Sequence, residues 1–148
     1  MEFDVYKALK QFRATLTKDW AKLTFDYEIK GDGDKEKAAA TATGVSLNGL
    51  DDDITIIFSA NKSGVVQFRA VFDKIDATNE VLNLVHEYNR TAYFFKMFVR
   101  DDEYLEIQQS FICYDPIDID EYIGECMARL INTNKNELVK TLTQYTHS

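Results

Sequence analysis

Between Phe3 and about Lys18 the apolar residues Val5, Leu9, Phe12 and Leu16 recur at spacings of four, three and four. That puts them on one stripe of a helix and leaves the remaining positions polar, so the spacing predicts an amphipathic helix. The period then changes. In KLTFDYEIK, Leu23, Phe25, Tyr27 and Ile29 alternate with polar residues, which predicts a half-buried strand ended by Gly31-Asp32-Gly33-Asp34. The next stretch, KEKAAATATGVSLNG, joins an alanine run that favours helix to Thr, Gly and Val residues that favour extended chain. A strand near residues 39–47, returning from the Gly-Asp turn, is the expectation. Ile54, Ile56 and Phe58 alternate in another strand. Asn61-Lys62-Ser63-Gly64 then turns the chain into a partner in which Val66, Phe68, Ala70 and Phe72 share a face.

From Thr78 to Asn89 the helical spacing returns, with Val81, Leu84, Val85 and Tyr88 at i, i+3, i+4 and i+7 and Thr78 or Asp76 as N-cap. A hairpin follows in the pattern: a strand over 92–100, a turn at Asp101-Asp102-Glu103, and a strand over 104–113 with Leu105, Ile107, Phe111 and Cys113 on one side. Pro116 closes the extended run and Asp118 can cap a last helix. Its stripe is Ile119, Tyr122, Ile123, Cys126, Leu130 and Ile131, broken near Asn132–Asn136 and resumed over Glu137–Tyr145. The predicted class is α+β, a mostly antiparallel sheet with helices packed on one face, in the order helix, strands, helix, two strands, helix.

Composition narrows this without redirecting it. A chain of 148 residues with 45% apolar residues, one proline and six glycines reads as one domain, 1–148, able to hold a core without staples. The formal charge of −8 disfavours nucleic acid and anionic membrane as partners. The acids in MEFDVYKALKQF are unlike the basic start of a signal peptide, so a cytoplasmic location is expected. Cys113 and Cys126 have neither zinc nor CxxC spacing and read as buried reduced thiols.

Few motifs carry chemistry. Gly31-Asp32-Gly33 lacks the third glycine of a dinucleotide turn, which Glu36 replaces; as a calcium loop it fails because Lys37 stands at the glycine position and Thr43 at the closing glutamate. Asp51-Asp52-Asp53 reads as a solvated turn. A hydrolase would have to recruit His86 with Ser110 or Cys113. No catalytic residue, cofactor or metal is expected. What does stand out is AYFFKMFV, residues 92–99. Read as one strand, it places Tyr93, Phe95, Met97 and Val99 on one face and Phe94 and Phe98 on the other, flanked by the stems of Lys96 and Arg100. A second apolar face predicts that Phe94, Phe98, Lys96 and Arg100 form an interaction surface covered by a partner, a second subunit or a ligand.

The run from Asn79 to Ile131 resembles the YbjN-like family of sensory-transduction regulators, whose fold is related to the type III secretion chaperones. The resemblance rests on the helix ending in Asn89-Arg90, the aromatic strand, the acidic turn, the strand with Leu105-Glu106-Ile107 and the long closing helix, and it spans about residues 54–131. It implies a helix–three strands–helix–two strands–helix order, no catalytic residue, and a small acidic homodimer that grips an extended partner segment. Residues 21–49 would add a strand or hairpin to that core. The resulting expectation is a noncatalytic cytoplasmic protein-interaction module, regulatory or chaperone-like, binding a protein partner through its sheet and C-terminal helix. The alternatives are a toxin-neutralising immunity protein and a protein that binds a small apolar ligand.

Overall fold

The structure is a computed structural model that describes residues 3–20, 22–31, 36–46 and 53–134. The Asp32–Asp34 turn, Asp51 and Asp52, the helical segment 137–145 and His147 lie outside the described residues. In chain order the elements are α1 (Val5–Thr17), β1 (Thr24–Lys30), β2 (Lys37–Val45), β3 (Ile54–Asn61), β4 (Val65–Lys74), α2 (Asn79–Thr91), β5 (Lys96–Val99), β6 (Tyr104–Ile112) and α3 (Ile119–Asn134). All neighbouring strands pair antiparallel, in the order β1-β2-β3-β4-β6-β5. The fold is α+β in the order predicted, and the four strands before α2 are those that the alternation in the sequence places there.

Strand registers explain how the core forms. One row of side chains crosses the whole sheet as Met97, Ile107, Ala70, Ile56, Ala42 and Phe25. The row beside it runs Gln109, Phe68, Phe58, Ala40 and Tyr27. These rows face the helices. Helix α1 turns the predicted stripe Val5, Leu9, Phe12 and Leu16 onto β2 and β3, and Phe12 stacks on Phe58 with ring centroids 5.1 Å apart. Its N-terminus is capped by Asp4, whose carboxylate accepts from the Lys7 N–H at 3.0 Å.

The alanine run is decided by this packing. Ala38, Ala40 and Ala42 are fully buried on the inward face of β2, directly under α1, where a larger side chain would hold the helix off the sheet. Alanine's helix preference is worth only a few tenths of a kcal/mol per residue, whereas each large side chain buried by the closer approach contributes about 1.5–3 kcal/mol. Tertiary packing therefore wins. Gly44, at φ +90°, sits where the β2–β3 register shifts between Ala42 and Val45.

Helix α2 is capped by Thr78, not Asp76, and buries Val81, Val85 and Tyr88. Before α3 a single 3-10 turn, Pro116–Asp118, is capped by Asp115, whose carboxylate accepts from the Ile117 N–H; Asp115 takes the role expected of Asp118. Helix α3 docks on α1 through Asp120, which accepts from Thr15 Oγ1 at 2.6 Å and from Lys18 Nζ at 2.9 Å, bonds that hold its carboxyl below the ordinary value.

The expected strand over 92–100 is shorter than predicted. Chain leaving α2 bends at Tyr93 and Phe94, and β5 begins only at Lys96. The cause is Asn89. Its side-chain amide donates to the Met97 carbonyl at 2.8 Å, and its Oδ1 accepts from the Met97 N–H at 2.7 Å, so a side chain occupies the outer edge of β5 as a further strand would.

Candidate interaction surface

The bend at Tyr93–Phe94 takes apart the surface expected from AYFFKMFV. Tyr93, expected on the buried side, is 99% exposed, while Phe95 and Met97 enter the core. Phe94 stands on the helix side: it meets Phe95 edge-on at 4.8 Å and lies under the Arg129 guanidinium of α3, 4.4 Å from the ring centroid. Phe98 lies on the opposite face, in a row with Glu106, Val71 and Thr55. Lys96 shares that face, while Arg100 follows the strand and reaches Glu106 and Asp102. Phe94 and Phe98 therefore form no common patch.

The face without described helices is not apolar either. Its central row is Lys96, Gln108, Arg69, Ile57, Thr41 and Asp26, and the row beside it is Ser110, Gln67, Ser59, Ala39 and Glu28. The charge chemistry of this face centres on Glu106, whose side chain is only 1% exposed. Arg69 grips it with both arms, Nε to Oε2 at 3.0 Å and NH2 to Oε1 at 2.6 Å, and Arg100 approaches to 3.5 Å. A buried carboxylate held by two guanidiniums is a fully partnered lock across β4, β6 and the end of β5.

The open apolar surface lies at the other edge of the sheet. Since α1 packs over β2 and β3, it stops short of β1, and the predicted half-buried strand is instead mostly exposed. Tyr27 and Ile29 are each 48% exposed although they lie in the inward rows. Between them and the flank of α1 runs a groove of about 500 Å³, whose walls include Tyr6, Leu9, Ala14 and the stems of Lys10 and Arg13. Arg13 stands over the Phe25 ring at 5.1 Å and donates to the Tyr27 hydroxyl at 3.4 Å. Among the described residues no strand pairs with the outer edge of β1, whose outward N–H and C=O groups run beside an apolar channel.

None of these groove residues was expected from the sequence to form a contact surface; Leu9, Tyr27 and Ile29 were read only as members of buried stripes. A signal existed in the second stripe of α1, where Tyr6, Lys10, Arg13 and Thr17 recur at helical spacing beside the core stripe. Which face of that helix remains open depends on how far it reaches across the sheet, and periodicity does not encode this.

The remaining candidates for chemistry do not converge. His86 is exposed on α2; Ser110 accepts from Gln67 at 3.3 Å, and Cys113 Sγ donates to the Asp115 carbonyl at 3.1 Å. Among the described residues no three His, Cys, Asp or Glu side chains are placed to share a metal ion, and no helix is long and apolar enough to cross a membrane. Burial raises the thiol pKa of Cys113, and it pushes Cys126 up to about 12, with the Glu125 charge adding to the shift. Burial thus disfavours the thiolate of both groups in the folded state, most strongly at Cys126. Thiol-reagent titration at pH 8 is expected to find both groups slow in the native protein and both reactive in denaturant; rapid native labelling of Cys126 would contradict its placement.

No protein-family model, curated protein or solved structure matches this chain.

Proposed function

We propose that the protein is a noncatalytic cytoplasmic interaction module, of regulatory or chaperone-like kind, that captures an extended segment of a partner protein along β1. The observation that carries this reading is the outer edge of β1, with which no strand among the described residues pairs, lying beside a groove in which Tyr27 and Ile29 are nearly half exposed. An incoming strand would satisfy the open backbone groups of β1 and set alternate side chains into the groove, so affinity comes from the main chain and selectivity from the channel. The far edge offers no such site, because Asn89 already occupies the backbone of Met97. The resemblance to YbjN-like regulators, with its implied grip on an extended segment, agrees with this reading, and the groove flanked by α1 replaces Phe94 and Phe98 as the contact surface.

A random-peptide phage library selected on the purified protein tests this. Peptides with alternating apolar residues are expected, and Tyr27→Lys with Ile29→Lys should weaken their binding at least thirtyfold, since each buried side chain lost removes about 1.5–3 kcal/mol. Both positions are half exposed, so the thermal midpoint should move little. Peptides that bind the double variant as tightly as wild type would refute the assignment of this groove.

A further inference from the structure

The two rows of side chains on β1 carry opposite chemistry. Phe25, Tyr27 and Ile29 point toward α1, where the charged groups along the groove are the cations Lys10 and Arg13. Asp26 and Glu28 point to the other face and are exposed. Their direct partners on β2, Thr41 and Ala39, are uncharged, and the β2 cation on that face, the exposed Lys37, stands opposite Lys30 and only diagonal to Glu28. Glu28 has Lys30 at 3.4 Å, but both side chains are more than 60% exposed, and such a surface pair holds its members weakly. A β-strand laid against this edge meets both rows at once, because its own side chains alternate between the same two faces.

We propose that the segment captured at β1 alternates apolar residues with Lys or Arg, the apolar ones entering the α1 groove and the basic ones lying opposite Asp26 and Glu28. The inference rests on the reading that β1 is the capture edge and adds the chemistry of what is captured. The net charge of −8 on each chain disfavours a second copy as the occupant and favours a basic segment. In a self-pair centred on Tyr27, Asp26 would face Glu28 of the copy twice; in one centred on Glu28 the two glutamates would face each other while Asp26 would face Lys30 twice. Only a register centred on Ile29 sets Glu28 against Lys30, and it shrinks the overlap to Tyr27–Gly31.

The experiment compares two labelled synthetic peptides of equal length, one alternating Val with Lys and the other Val with Glu, by fluorescence anisotropy. Wild-type protein should bind the Val/Lys peptide roughly tenfold more tightly or better, as expected from two favourable cross-strand charge pairs replaced by two unfavourable ones. Asp26→Lys with Glu28→Lys should reverse the preference. Asp101→Lys with Glu121→Lys, which changes the net charge equally at exposed sites elsewhere, should keep it. A preference abolished equally by both double variants would reduce the effect to net charge and overturn the inference, as would a failure of wild type to bind either peptide. Equal binding of both peptides, lost on Tyr27→Lys with Ile29→Lys, would overturn the charge pattern while leaving the groove in place. Equal binding that survives those lysines would remove the groove as well.

Discussion

Replacing Gly64 with alanine should lower the thermal midpoint by about 10 °C, corresponding to a loss of roughly 3 kcal/mol for a domain of this size. Two causes add. Gly64 sits at φ +82° in the β3–β4 turn, a conformation that costs an alanine about 1 kcal/mol or more. An added Cβ would also lie 2.3 Å from the Cys113 carbonyl oxygen, a backbone atom that cannot swing aside. The same turn anchors three segments: Gly64 O accepts from the Cys113 N–H at 2.7 Å, and the Phe3 N–H donates to Lys62 O at 3.1 Å. Relief of the clash must therefore move β6 or break the tie to the N-terminus. Gly124→Ala is the matched control. Its Cβ meets nothing within 4 Å on α3, so the substitution should stabilise the helix by up to about 1 kcal/mol. Thermal melts of the two variants should move in opposite directions.

Glu106→Ala should destabilise the protein by about 3 kcal/mol, because it removes the carboxylate that the Arg69 fork and Arg100 share and leaves a partly buried guanidinium without its counter-ion. Replacing both members of the fork, Arg69→Met with Glu106→Leu, should recover most of that loss, to within about 1 kcal/mol of wild type, since no orphaned charge remains. Arg100 retains Asp102 at 3.1 Å in either variant. Urea denaturation of the single and double variants separates this from simple cavity formation: a double variant no better than Glu106→Ala would show that the cost lies in lost packing rather than in an unpaired charge. Neither substitution touches β1, so peptide capture should persist wherever the fold does.

The parts of this fold that were legible in the sequence are those in which one face of an element is buried by its own layer. The α1 stripe, the alternation of β3 and β4, and the Val81–Val85–Tyr88 stripe of α2 all reach the core as their periods predict. The parts that were not legible depend on a neighbour. Alternation in β1 was correct as a period and only partly as burial: Phe25 packs edge-on against Phe12 of α1, while Tyr27 and Ile29 face inward beyond the cover of that helix. In AYFFKMFV the alternation looked continuous, yet two hydrogen bonds from Asn89 fix where the strand begins and put Phe94 under α3. The buried Glu106 offered no signal of its own, since an acid in a strand of alternating pattern reads as solvent-facing until Arg69 is seen beside it. The capture groove belongs to the same class. Its residues come from two elements whose separation across the sheet is set by the small alanines of β2.

A partner segment that adds along β1 must shield the outward amides of that strand. Amide hydrogen exchange measured residue by residue, with and without the tightest library-selected peptide, addresses it directly. Thr24–Lys30 should gain protection on alternate amides, those pointing away from β2, while Lys96–Val99 and the face around Arg69 and Glu106 stay unchanged. Protection confined to β5 or to that open face, with exchange in β1 unaltered at saturating peptide, would contradict it.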